Sequence, residues 1–323
     1  MSFAQKVIDE KLKVSVAPLG GYDTTYGAFF GVGFFTDKDD QFSTSLLFIY
    51  TVKDVIRIEP GFVIKFNDQY SLEGDYQYNN GFEPFYGVTN HSKVDDVQNI
   101  FGYKLVTRTG LKRKFDPYFS STFYVPIFYW NPNHPRNTPE TKLLIPKESH
   151  AGVEWVNLYD RSVKKVGLTS GWSFSNDSQV YFNPNTIVRT EVEYKYFLPV
   201  GERVGFAFHT MGGLSYGKRD YFDNNFLGGT ARLRGYLKNR FVGEHYLVQQ
   251  NEIRFPLFIK NLSAITFSDF GEVFNYGESP FLKFSEGFGL RYALPPDHLE
   301  MIRIDVGFSK DQWGVFFDFA QAF

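Results

Sequence analysis

The chain of 323 residues contains no cysteine, which removes disulfides, thiolate metal sites and cysteine nucleophiles together. It also lacks any apolar run near the ~18–20 residues that a membrane-spanning helix needs. Patches such as residues 46–50 (Leu-Leu-Phe-Ile-Tyr) are strand-sized, so a helical membrane protein is excluded. Charge of one sign is missing too: the formal net charge is -2, and no basic excess supports nucleic-acid binding. No charged-then-apolar leader precedes Lys6, which reads as a mature or re-engineered chain if the protein is exported. The six histidines, at positions 91, 134, 150, 209, 245 and 298, have no metal-ligand spacing, and no serine sits in a nucleophile elbow. The glycine-rich stretches fall on strands or in a loop, where a phosphate cradle opening a helix has no place. We therefore expect no enzyme, no metal and no cofactor.

What the chain does have is aromatic surface. It carries 37 Phe and 21 Tyr, yet 22% of its residues are charged. A soluble domain would have to hide those rings in its core, whereas a transmembrane barrel spreads them over a lipid-facing belt and interfacial girdles.

Period-two alternation, which sends successive side chains to opposite faces of a strand, recurs from end to end. Val188, Thr190, Val192, Tyr194 and Tyr196 share one face, and Arg189, Glu191, Glu193 and Lys195 the other. Ile56, Ile58, Phe62, Ile64 and Phe66 oppose Arg57, Glu59 and Lys65; Ile302, Ile304, Val306 and Phe308 oppose Arg303 and Asp305. A soluble sandwich also alternates, but several charges on one face of a strand suit the wall of a wet lumen.

The pattern predicts an all-β fold: a closed antiparallel transmembrane barrel of about sixteen strands, over 12–22, 27–36, 42–52, 55–66, 69–79, 101–114, 118–130, 149–160, 165–175, 186–198, 202–216, 245–258, 262–273, 281–293, 299–309 and 312–322. Every connection from an even to an odd strand is then short, and the long segments 80–100, 131–148 and 217–244 all follow odd strands. Short periplasmic turns and long outer loops are the habit of outer-membrane barrels. An error of one strand would destroy that parity. Residues 12–323 read as one barrel; residues 1–11, with Phe3, Val7 and Ile8 among charges, read as a short periplasmic segment, either an amphipathic helix or a frayed terminus.

Residues 228–236 read Gly-Gly-Thr-Ala-Arg-Leu-Arg-Gly-Tyr, followed by Asn251-Glu252-Ile253-Arg254-Phe255-Pro256, Phe267-Ser268-Asp269-Phe270-Gly271, Gly287-Phe288-Gly289-Leu290-Arg291-Tyr292 and a final Phe323. This ordered set, spanning about the last hundred residues, resembles the BamA/TamA superfamily of outer-membrane assembly and translocation barrels. That family carries an aliphatic-Arg-Gly-aromatic tetrad at the tip of its sixth outer loop, matched here by Leu233, Arg234, Gly235 and Tyr236. Residues 152–155 (Gly-Val-Glu-Trp) with Asp160 and Arg161 extend the likeness more loosely.

The resemblance implies that the sixth loop folds into the lumen and that Arg234 pairs with Glu252 and Asp269, for which a planar guanidinium fork is suited. Gly235 would let the tip turn at positive φ. Read alone, Arg234 is a solvated loop charge. On strand 262–273 Ser268 and Glu272 share the outer face with Phe270, so the lumen position of Asp269 rests on the resemblance. Such families usually carry periplasmic POTRA domains before the barrel, and eleven residues cannot hold one; the expectation is a barrel-only member or an excised barrel.

The last strand carries Gln312, Gly314, Phe317 and Phe319 in a polar-x-Gly-x-x-aromatic-x-aromatic spacing, with Trp313, Val315 and Phe323 on the face of Phe317 and Phe319. It must close against the first strand, since a bilayer tolerates no open edge. Gly20 and Gly21 of the first strand either weaken that seam or serve as ordinary curvature points. The functional expectation is assistance to insertion or translocation of outer-membrane components through this seam. Its partners would be outer-membrane lipids, unfolded outer-membrane proteins or a separate periplasmic protein, with a monomer as the default. The alternative is a passive or plugged pore, or a lipid-conducting channel.

Overall fold

The computed structural model of the protein describes residues 13–38, 41–163, 168–182, 185–259, 261–293 and 301–319. The strands of these residues are β1 (Lys13–Asp23), β2 (Gly27–Lys38), β3 (Phe42–Thr51), β4 (Ile56–Lys65), β5 (Tyr70–Phe85), β6 (Gln98–Lys114), β7 (Phe119–Asn131), β8 (Glu148–Asp160), β9 (Gly171–Phe182), β10 (Ile187–Val200), β11 (Val204–Tyr216), β12 (Asn225–Leu227), β13 (Phe241–Gly243), β14 (His245–Pro256), β15 (Leu262–Phe274), β16 (Lys283–Ala293), β17 (Met301–Ser309) and β18 (Trp313–Phe319). All but β12 and β13 join in sequence order into one closed antiparallel barrel; β12 and β13 pair with each other within the β11–β14 connection. The barrel thus has the sixteen strands that the alternation predicts. Among the described residues no helix is long and apolar enough to cross a membrane.

The alternation becomes an inside and an outside. On β7, Phe123, Val125 and Ile127 are about half exposed to the surroundings of the barrel, while Thr122 and Tyr124, which alternate with them, are buried. Lipid takes the place of a packed core for the outer set. The outer face is less apolar where β11, β14 and β15 meet, but its polar groups satisfy one another: Thr210 Oγ1 donates to Gln249 Oε1 (2.5 Å), Gln249 Nε2 to Asn251 Oδ1 (2.9 Å), and Asn251 Nδ2 to the Ser268 carbonyl (3.3 Å). Unpaired polar groups in hydrocarbon would be costly.

Two strands depart from expectation. β9 occupies Gly171–Phe182 rather than 165–175. Its Ser-Asn-Asp-Ser-Gln run looks like a turn, yet Asp177 and Gln179 face the lumen opposite Glu191 and Arg189 of β10. β5 and β6 extend to Phe85 and back to Gln98, beyond the expected ends at 79 and 101. There the Asn-Asn-Gly segment stays in register, with Gly81 opposite Gly102. The Trp130 ring fills the space over Gly102, where a Cβ would come within 2.5 Å of it. The proposed helix over residues 1–11 lies outside the described residues.

The apolar core is built by loops folded into the lumen. Leu227, Leu233, Tyr236 and Phe241 from the β11–β14 connection pack on Met211, Tyr246, Val248 and Val273 of the inner wall. Each fully buried aliphatic chain contributes roughly 1.5–3 kcal/mol relative to a wet lumen. A second cluster sets Val242 and Tyr221 against Ile100, Trp130 and Ile145. The β11–β14 connection is thereby a packed element and not a free loop.

Candidate functional site

The tip of this connection is closed by a hydrogen bond from the Gly229 N–H to the Tyr236 carbonyl (2.9 Å). Gly235 has φ +87°, a conformation that a side chain would strain. Its carbonyl accepts from Gln312 Nε2 (2.9 Å) and Ser309 Oγ (3.2 Å), and the Tyr236 hydroxyl donates to the Phe284 carbonyl (3.1 Å). Leu233 has no exposed surface.

Arg234, also fully enclosed, reaches the wall of β14 and β15. Its Nε and Nη2 donate to the two oxygens of Asp269 (2.8 and 2.7 Å), its backbone N–H donates to the same carboxylate (3.1 Å), and its Nη1 donates to Glu252 (2.6 Å). Its Cζ stands 3.8 Å from the centroid of the Phe267 ring, a cation–π arrangement strengthened by desolvation. The bidentate fork on Asp269 is the geometry that a guanidinium offers and an ammonium does not.

Three charges absent from the sequence-based site complete the cluster. Glu252 also accepts from Arg254 (Nε, 2.9 Å), and Arg291 donates to both oxygens of Asp305 (2.6 and 3.1 Å) while standing 3.6 Å from Glu252. Arg234 lies 3.8 Å from Asp305. From Asp269 the network runs on through Gln250 and His209 to Glu193 of β10. Sharing of this kind offsets the large desolvation cost of buried charge; removing one member typically costs about 3–5 kcal/mol. The signal for Arg254, Arg291 and Asp305 was their lumen parity, the same parity that places Glu252. Glu272, which blurred the alternation of β15, is on the outer face but near the outer end, where its carboxylate accepts from the Phe281 N–H (2.7 Å).

The second half of the candidate site is the seam. Between β1 and β18 the register contains, among the described residues, the single pair Asp23↔Phe316, whereas β1 pairs with β2 along its whole length from Lys13↔Asp37 to Asp23↔Gly27. Beside it the Thr24 hydroxyl accepts from the Val315 N–H (2.9 Å) and donates to the Val315 carbonyl (3.1 Å). Gly21 is not an empty place: a Cβ there would lie 2.3 Å from the Phe317 ring and 2.6 Å from that of Phe29. It is the seat on which Phe317 crosses the seam. A Cβ on Gly20 would meet nothing closer than 3.7 Å, and one on Gly314 would meet the Phe316 ring at 2.8 Å. Phe319 pairs through its backbone with Ile302; Phe323 lies outside the described residues.

The lumen loop touches both sides of this seam. The Lys238 N–H donates to Thr25 Oγ1 (3.2 Å) and its ammonium to the Tyr26 hydroxyl (2.9 Å), on the turn after β1. Burial pulls the Lys238 ammonium below the ordinary lysine value, against the opposing pull of Glu83. On the turn before β18, Arg240 pairs with Asp311 and donates to Gln312 (2.8 Å).

The Omp85 superfamily domain matches residues 58–317 of the sequence. The fold is similar to that of BamA from Haemophilus ducreyi lacking POTRA domains 1-3, at 12% identity and a TM-score of 0.70, covering 96% of this chain and 70% of that one. It is also similar to CdiB from Acinetobacter baumannii, at 11% identity and a TM-score of 0.63, covering 96% of this chain and 65% of that one. CdiB from Escherichia coli gives 11% identity and a TM-score of 0.67, with 96% and 68% covered. The chain therefore spans about two thirds of the length of each. No curated protein matches the sequence.

Proposed function

The chain belongs to the Omp85 superfamily, and from that premise we propose that it assists insertion of outer-membrane proteins by offering the β1–β18 seam to their strands. It is a bacterial outer-membrane barrel with a family-level part in assembly or translocation. The observation that carries the finer reading is the short register between β1 and β18. Backbone N–H and C=O groups left without a ladder partner are a template for an added strand. In this reading an unfolded barrel protein pairs with the free edge, outer-membrane lipids surround both, and a separate periplasmic protein delivers the substrate. The Arg234 cluster holds the loop in the lumen while the seam works.

The absence of native cysteine makes the test direct. In liposomes holding an Asp23→Cys/Phe316→Cys variant, the folding of an unfolded test barrel should be faster than in empty liposomes when the pair is reduced. Oxidation should abolish the gain, and re-reduction restore it. Equal acceleration by the oxidised and reduced forms would overturn the seam as the working part.

A second reading has its own observation. A cavity of about 400 Å³ lies beside Glu59, Asp75 and Arg108, along the wall of β3 to β6. This favours a pore whose lumen charges set selectivity. Steady single-channel conductance in a planar bilayer, with no effect on folding of the test barrel, is the result that would select it.

A further inference from the structure

A cavity of about 630 Å³ opens at the outer end of β16 and β17, between the lumen loop and the connections at 86–97 and 310–312. Its volume is that of a small-ligand site. Four cationic side chains line it: Lys93, Arg240, Lys283 and Lys310. Of the two carboxylates in its wall, Asp311 is engaged by Arg240, and Glu286 stands on the outer face of β16 beside Phe284 and Phe288.

Two of the cations are built in. Lys283 is buried, its ammonium held 4.4 and 4.1 Å from the ring centroids of Phe241 and Phe281. It donates to Asn90 Oδ1 (2.7 Å) and the Phe281 carbonyl (2.6 Å); an ammonium has three donors, so one remains for a ligand. Arg240, equally buried, binds Asp311, Gln312 and the Ser92 carbonyl through Nη1 and Nη2, while its buried Nε has no partner. Lys93 and Lys310 are exposed at the cavity's rim. Two fixed cations and two mobile ones in one wall describe a receptor for a multiply charged oxyanion.

The rest of the wall says what carries that anion. Phe284 and Phe308 line the cavity and are also part of the lipid-facing surface, 44% and 43% exposed. Leu282 in the same wall, and Trp313 opposite Phe308, are more exposed still. The cavity is therefore continuous with the hydrocarbon-facing side at the level where strands end and headgroups begin. A freely diffusing anion has no use for that apolar flank.

We propose that this cavity binds the phosphorylated sugar headgroup of an outer-leaflet glycolipid, phosphate against Arg240 and Lys283, acyl chains along Phe284 and Phe308. The site adjoins the turn before β18, but its test reads lipid retention and not strand insertion, so it stands or falls separately from the insertion reading.

The test uses the folded barrel in phosphatidylcholine nanodiscs doped with diphosphorylated lipid A or with the same lipid after phosphatase treatment, and measures retained lipid by native mass spectrometry. The parent should retain the phosphorylated form selectively. Lys93→Gln/Lys310→Gln, which alters only exposed loop charges, should weaken retention about thirtyfold, as expected for ~1 kcal/mol from each of the two surface cations. Lys283→Gln should weaken it as well. Equal retention of the two lipids, or retention unchanged in both variants, overturns the proposal. Displacement of the lipid by millimolar inorganic phosphate overturns the lipid as ligand and leaves a soluble anion in its place.

Discussion

A Cβ built on Gly307 would lie 2.6 Å from the backbone nitrogen of Gly235, so the tip of the lumen loop and β17 meet backbone to backbone. A methyl group does not fit there. Gly307→Ala should push the tip away from Gln312 and Ser309 and cost about 1–3 kcal/mol, the usual range for overpacking. The midpoint of heat-induced loss of the compact electrophoretic form reads this; an unchanged midpoint would mean that the tip is not held against β17.

Arg234→Ala should be more damaging, and unevenly so. Glu252 keeps Arg254 and Arg291 nearby, but Asp269 loses its bidentate partner inside a closed lumen. The expected cost is about 3–5 kcal/mol. Adding Asp269→Asn to Arg234→Ala should recover part of it, because the stranded charge is gone, and Arg234→Lys should fall between parent and Ala. Denaturant unfolding in vesicles measures these four proteins and the single Asp269→Asn variant; strictly additive effects would argue against a coupled pair.

At the seam, Thr24→Val keeps the shape and removes both hydrogen bonds to Val315. A loss of ~1–2 kcal/mol corresponds to about a 5–30-fold change in population. Hydrogen exchange at the Val315 amide should accelerate by that order, with amides of β7 unaffected. Unaltered exchange at Val315 would show that Thr24 does not hold the strands together.

Glu278 gives the outer loops a dependence on pH. Burial disfavours its carboxylate, but hydrogen bonds from the Asn275 side chain and the Asn90 N–H outweigh this and hold it below the ordinary value of 4.5. A lowered carboxyl contributes its stabilisation in full above the ordinary value and loses it as pH falls through the lower folded value. Acidification through that window should loosen the 275–282 connection from Asn90. An environment-sensitive label at Tyr276→Cys reports it, and Glu278→Gln should flatten the profile; a profile identical in parent and variant would assign the transition elsewhere.

Strand number and order were legible in the sequence because each strand carries its own alternation and the connections add an independent parity. β9 was not, because its lumen residues Ser175, Asp177 and Gln179 are also turn formers, and only pairing with β10 distinguishes the two uses. Arg234, Glu252 and Asp269 could be nominated through the family resemblance, and in the structure both carboxylates lie within hydrogen-bond distance of Arg234. Arg254, Arg291 and Asp305 were visible only as charges of lumen parity, since nothing local says which inward charges converge on one loop tip. Gly21 was legible as a glycine but not as a seat for Phe317, a contact between residues nearly three hundred positions apart.

The one β1–β18 pair among the described residues lies at the outer end of β1 and midway along β18, next to Thr24 and to the loop contacts of Lys238 and Gln312. A joint secured at one end has a direction of failure: it peels from the other. Among the described residues no rung joins Tyr22, Gly21 or Gly20 to Phe317, Asp318 or Phe319, the positions next inward in this register, so in the insertion reading parting would begin inward of Asp23 and travel outward, with the turn at Thr24 as the last hinge to yield. In the insertion reading such a gap would be a tapering notch, widest where a chain arriving from the periplasm first meets it.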